Sequence, residues 1–133
     1  MLRKSIVLAA ISGGLAVILG AFGAHKLKEI ISAEDLEIWN KAVLYQFIHT
    51  FAILAVGILS KIHFHKTLTN ALNSFAIGIL FFSGSLYFLA FREVFDFGTA
   101  INILGPITPI GGALFIAGWI YLLIYGLKYS KNE

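Results

Sequence analysis

Gln46, His49 and Thr50 stand at i, i+3 and i+4, a spacing that puts three side chains on one helical face. They lie in a run, 42–60, that carries no charged residue. Polar groups in such surroundings face a cavity or another helix rather than lipid. An imidazole there can donate, accept or titrate, since its ordinary pKa is about 6.5. Two readings follow. His49 is the centre of a ligand or proton site, or Gln46 and His49 bond across helices to Ser85 or Tyr87 and serve only packing. Interhelical bonds of the second kind average about 0.6 kcal/mol.

A second constellation is Thr108-Pro109 followed by Gly111 and Gly112. Thr108 suits an N-cap and Pro109 a first helical residue, which predicts a helix over 109–128. Its free N–H groups, its positive dipole end and Arg92 could together hold an anionic headgroup or a carboxylate. The plainer alternative is an ordinary proline-initiated helix with Arg92 snorkelling to the headgroups. The candidate ligand-binding set is therefore His25, Gln46, His49, Ser85, Tyr87, Arg92, Thr108, Gly111 and Gly112.

Other chemistries find no residues. The chain has no cysteine, so thiolate ligands, disulfides and a cysteine nucleophile are excluded. His63 and His65 lack a nearby carboxylate, and no acid inside a span joins His25 and His49 to complete a metal set. Ser83-Gly84-Ser85 lacks the strand-to-helix setting of a nucleophile elbow. The reading is of a protein without metal or cofactor, and a non-enzymatic role is favoured over that of a membrane enzyme acting on lipids. A proton-coupled exporter is disfavoured, because no span carries an acid.

These residues must be positioned by four apolar runs, 5–24, 42–60, 71–91 and 100–127, each free of charged residues. About 20 helical residues cross a bilayer core of about 30 Å. The expected fold is all-α, a four-helix transmembrane bundle in one domain, with spans near 5–25, 39–60, 71–91 and 109–128. Residues 101–108 are expected to be apolar but not helical throughout. Arg3 and Lys4 ahead of the first run resemble a signal peptide, but about 20 apolar residues exceed an ordinary h-region, so a retained span is expected. Between the first two spans, Ser32 with Asp35 resembles a capping box that starts an interfacial helix running into the second span. Trp39 is expected at headgroup level.

Charge sets orientation. Arg3, Lys4, Lys61, Lys66, Lys128 and Lys131 fall on one side, and Lys26, Lys28, Lys41 and Arg92 on the other. Six bases against four predict that both termini are cytoplasmic. The net charge of +3 comes from bases scattered over span ends rather than gathered on one stripe, so nucleic acid is not a partner. Ala16, Gly20 and Ala24 on the first span, and Ala71, Ser74, Gly78, Ser85 and Arg92 on the third, form small-residue seams that let helices approach, within one chain or between chains.

The segments Gly20-Ala21-Phe22-Gly23-Ala24-His25, Trp39 with Ala42, Tyr45-Gln46 and His49, Phe82-Ser83-Gly84-Ser85-Leu86-Tyr87, and Ile107-Thr108-Pro109-Ile110-Gly111-Gly112 with Gly118-Trp119 carry a resemblance. In order and spacing across all four spans the chain resembles the YgdD-like membrane proteins, the family called domain of unknown function 423. The resemblance implies a four-helix bacterial inner-membrane protein with short connections, and it supplies no activity. The expected function is a lipid- or small-solute-binding bundle, open to permeation, with a polar pocket in its outer half. Membrane lipids are the expected partners. The alternative is a structural or accessory subunit, with the seams facing a homo-oligomer or larger assembly.

Overall fold

The computed structural model describes residues 1–95 and 100–129, the side chains of 100–103 excepted. Lys131, which entered the charge reading, lies outside them. Helix α1 is Leu2–His25, followed by a 3-10 turn at Leu27–Glu29. Helix α2 is Ala33–Ile62. The Ser32 hydroxyl accepts the Asp35 N–H at 3.1 Å, but the Asp35 carboxylate does not reach back, so half of the capping box forms. Helix α3 is Lys66–Gly78, capped by His65, whose Nδ1 accepts the Thr67 N–H at 3.2 Å. One wide π turn, Ile79–Ser83, joins it to α4, Gly84–Leu89, and the three pieces make one span, Lys66–Leu89. Helix α5 is Ala100–Tyr129.

The protein is thus an all-α bundle with four helices long and apolar enough to cross a membrane, and no strand among the described residues. The helices alternate in direction. At one end Thr69 Oγ1 donates to Met1 Sδ at 3.6 Å, and the Tyr125 hydroxyl donates to the His63 carbonyl at 3.1 Å. Helix α2 packs on α1 on one side and on the third span on the other, and α5 packs on the third span. The inner pair is the more buried, while α1 and α5 turn most of their surface outward.

Glycine decides how closely these helices approach. A Cβ at Gly57 would meet Ser5 Cβ at 2.5 Å, and one at Gly111 would meet the backbone nitrogen of Phe82 at 2.3 Å. Gly78 and Gly118 lie equally close to the rings of Phe115 and Phe75. On the third span Ala71, Ser74, Gly78 and Ser85 are all buried, as their spacing predicts. On α1 the buried seam is Ser5, Ala9, Ala16 and Gly23 instead of the expected row. Ala16 is fully buried, Gly20 half-buried and Ala24 exposed. The steps are four and seven, the repeat of a helix that follows a partner along its whole length.

Two expectations are corrected. The fourth helix does not begin at Pro109, because Pro106 and Pro109 lie inside α5. A proline deletes its own N–H bond and leaves the rest of the ladder, and in apolar surroundings breaking the helix outright would orphan more backbone groups. Trp39 is no headgroup anchor. It is 3% exposed, with Nε1 donating to the Leu19 carbonyl at 2.9 Å. Its ring fills the space over Gly23 and sits edge-on to Phe22, Tyr87 and Phe91.

Candidate functional site

The candidate residues do not meet in one pocket. They fall into separate hydrogen-bonded groups, each holding a different pair of helices.

Gln46 and Tyr87 form the first. The Gln46 amide Nε2 donates to the Ser12 carbonyl at 2.8 Å, and the Tyr87 hydroxyl donates to Gln46 Oε1 at 2.8 Å. Beside them the hydroxyls of Ser12 and Thr50 lie 2.7 Å apart. This chain of bonds ties α1, α2 and α4 together near the middle of α1. Above it lies a groove of about 350 Å³ between α1 and the third span. Its walls are apolar: Leu8, Ile11, Leu15 and Leu19 on one side, Ile79 and Leu80 on the other. No charged residue lines it, and Ser12, Gln46 and Tyr87 make the floor. Gly84 also borders it, and a Cβ there would meet nothing within 4 Å.

His49, three residues from Gln46, faces the other way. Its ring is 3% exposed and stacks on Phe115 with centroids 3.4 Å apart, nearly parallel at 3°. Phe75, Tyr45 and Trp119 complete an aromatic surround. Trp119 Nε1, a donor only, lies 3.3 Å from Nε2, so Nε2 accepts. Nδ1 therefore carries the hydrogen and donates to the Tyr45 carbonyl at 2.8 Å. Both nitrogens of a neutral imidazole are satisfied, by Tyr45 and Trp119 rather than by the expected Gln46, Ser85 or Tyr87. Glutamine can reproduce one donor and one acceptor, and leucine neither. We expect His49→Gln to lower detergent-state stability by under about 0.6 kcal/mol and His49→Leu by about 1 kcal/mol. Thermal unfolding of the two variants checks the order, and equal losses would mean that the ring stack, not the bonds, sets the cost.

The third group joins α4 to α5. The Ser85 hydroxyl donates to the Phe82 carbonyl at 2.9 Å and shares a 2.7 Å bond with Thr108 Oγ1. Thr108 also reaches the Leu104 carbonyl at 3.5 Å. Thr108 is therefore a mid-helix residue bonding back one turn, not a cap. Gly111 is pressed on the Phe82 backbone, and Gly112 lies near the Phe82 ring. These glycines serve helix contact, and the free N–H groups of a helix start are not at that position.

Arg92 and His25 stand apart. Arg92 Nη2 lies 3.0 Å from Glu34 Oε1 and 3.1 Å from Asp35 Oδ1. The Glu34 hydrogen bond, with smaller help from the Asp35 charge, raises the arginine pKa above its already high ordinary value, so it stays charged. His25, at the end of α1, is exposed and bonds to no described residue.

The family described as "Protein of unknown function (DUF423)" matches residues 19–112. A "UPF0382 membrane protein" of Haemophilus influenzae is 46% identical over 132 residues, covering 99% of each chain. Another from Staphylococcus epidermidis is 43% identical over 135 residues, covering 97% of this chain and 99% of its own. The chain belongs to the DUF423 family. It is a membrane protein of a bacterial family. No solved structure matches it.

Several partners were not read from the sequence. Asp35 looked like a connection residue, yet it is fully buried, and its oxygens accept no hydrogen bond although Arg92 lies 3.1 Å from one of them. The pair is therefore held by charge rather than by aligned bonds. Trp119 and Tyr45 supply the two hydrogen-bond partners of His49, and neither was expected there. The one available signal was that Trp119, Phe115, Gly111 and Gly118 share steps of three, four and seven on α5. Ser83 is fully buried in the π turn, and its hydroxyl has no partner among the described residues.

Proposed function

We propose that this DUF423 protein is a non-enzymatic lipid-binding bundle, which takes an acyl chain of a membrane lipid into the groove between α1 and the third span. The observation that carries this reading is the groove itself. Its volume of about 350 Å³ lies within the usual range for small-molecule sites, about 300–1,000 Å³. Leu80 at its rim is 70% exposed, so the groove opens sideways, where acyl chains lie, and not toward an aqueous mouth. The polar groups of its floor are bonded to one another, which suits an apolar guest. Nothing charged lines it, so a headgroup must sit elsewhere.

A diazirine-bearing phospholipid tests this. Photolabelling in membranes is expected to concentrate on peptides containing Leu15 and Leu80. A Cβ at Gly84 meets nothing within 4 Å, so Gly84→Trp places an indole in the groove, and it should reduce that labelling severalfold. Leu123→Trp, on the exposed face of α5, should leave it unchanged. Labelling spread evenly over all outward faces would remove the reading. Protection of Leu15 and Leu80 by a neighbouring chain would favour an assembly that covers the groove.

Orientation belongs to the same reading. Arg3, Lys4, Lys61, Lys66 and Lys128 share one end, and every described acid, from Glu29 to Glu93, lies at the other. This supports cytoplasmic termini in the bacterial inner membrane. A reporter active only in the cytoplasm should be active when fused after Glu133 and silent within 26–41. The reverse pattern would invert the topology.

A further inference from the structure

We propose that the groove's guest is an anionic phospholipid, its phosphate held at the mouth by Arg3 and Lys4. The inference rests on the groove reading above and adds the headgroup.

A second hollow, about 460 Å³, lies at the N-terminal end of α1 and is bounded by Met1, Arg3, Lys4, Val7 and Leu8. Leu8 also lines the groove, so the two share a wall. One surface therefore runs from two cations, past Leu8, to the floor at Ser12 and Gln46. Its character changes once along the way, from basic to apolar. From Arg3 to Ser12 is nine residues, about 13 Å of helix. Half of a bilayer core of about 30 Å is close to that length. A lipid with its phosphate between Arg3 and Lys4 would thus lay one chain along Leu8 and Ile11 and end near the Gln46 floor.

Charge complementarity selects the headgroup. Arg3 and Lys4 are exposed and form no ion pair among the described residues, and no described acid lies at that end of the bundle. A zwitterionic headgroup would bring a trimethylammonium group against these two cations. A net-negative headgroup such as phosphatidylglycerol brings no opposing charge. Arg3 adds a planar fork suited to two phosphate oxygens at once.

The test is competitive lipid retention, read by native mass spectrometry of the full chain in detergent. Phosphatidylglycerol and phosphatidylcholine with identical chains are offered in equal amounts. The unaltered protein should prefer phosphatidylglycerol on the order of tenfold, within what two basic side chains near a surface contribute. Arg3→Ala with Lys4→Ala should bring the preference close to one. Arg3→Lys should keep most of it. Lys66→Ala with Lys128→Ala removes equal charge from the same end but not from the mouth, and should leave the preference in place. Gly84→Trp should lose both lipids. If Gly84→Trp retains both, the groove reading itself fails. If it loses both but the Arg3 and Lys4 variant keeps its preference, only the headgroup assignment is overturned. A preference lost equally in the Lys66 and Lys128 variant would also overturn it, in favour of diffuse attraction by the whole basic end.

Discussion

Gly111→Ala should destabilise the bundle by about 2 kcal/mol, whereas Gly84→Ala should be neutral or stabilising by up to about 1 kcal/mol. Both positions are helical, and alanine gains the same propensity at each. They differ in what the new methyl meets. At Gly111 it would lie 2.3 Å from the Phe82 nitrogen and 2.8 Å from the Phe82 Cα. Those are backbone atoms, held in the π turn, and they cannot rotate away as a side chain can. Relief requires α5 to move off the third span, and the Ser85–Thr108 bond and the His49–Phe115 stack would loosen with it. At Gly84 nothing lies within 4 Å. Gly78→Ala and Gly118→Ala should fall between, because the atoms they meet belong to the rings of Phe115 and Phe75. Heat or denaturant unfolding in one detergent orders the series. Equal stability of the Gly111 and Gly84 variants would mean that α5 packs on the third span in some other register.

The seam on the third span was legible because small residues at steps of three, four and seven leave few alternatives to close packing. The four spans were legible for a similar reason, since long uncharged runs have one common use. What the pattern hid was facing. Gln46 and His49 are one turn apart on α2, and helical spacing alone puts them together. In the fold the small angle between them is enough to aim Gln46 at α1 and His49 toward the rings of α5, because α2 packs on α1 on one side and on the third span, on which α5 packs, on the other. A site inferred from one helix therefore merges two. The N-terminus of α5 was misread through Pro109, whose type fits both a first turn and a tolerated interior position. Only the ladder before it, which begins at Ala100, separates the two.

The groove was invisible to the same pattern, and the reason is physical. It is an absence of contact between α1 and the third span, walled mainly by Leu and Ile, which are the residues that also fill contacts. Residue type cannot tell an apolar surface that meets a helix from one that waits for a lipid. The distinction appears only when Leu80 proves exposed while Leu68 and Leu72, on the same span, are buried.

Asp35 was hidden because charge in a connection is ordinarily solvated. It is instead wholly buried at the start of α2, facing Arg92 from beyond α4. Arg92→Ala would leave that carboxylate buried and without its countercharge. Breaking a fully buried pair costs about 3–5 kcal/mol, and an exposed one under about 1. The Arg92 side chain is 34% exposed, so water would enter where it leaves, and a loss of about 2 kcal/mol is expected. Adding Asp35→Asn to Arg92→Ala removes the stranded charge and should recover about half of that loss, a coupling typical of residues in contact. Glu34→Gln should cost little, because Glu34 is 78% exposed. The four unfolding energies of the cycle decide the matter. Additive losses would show that Arg92 acts through the packing of its aliphatic stem. A large coupling would show that one ion pair fastens the third span to the start of α2, at the end of the bundle opposite the basic mouth.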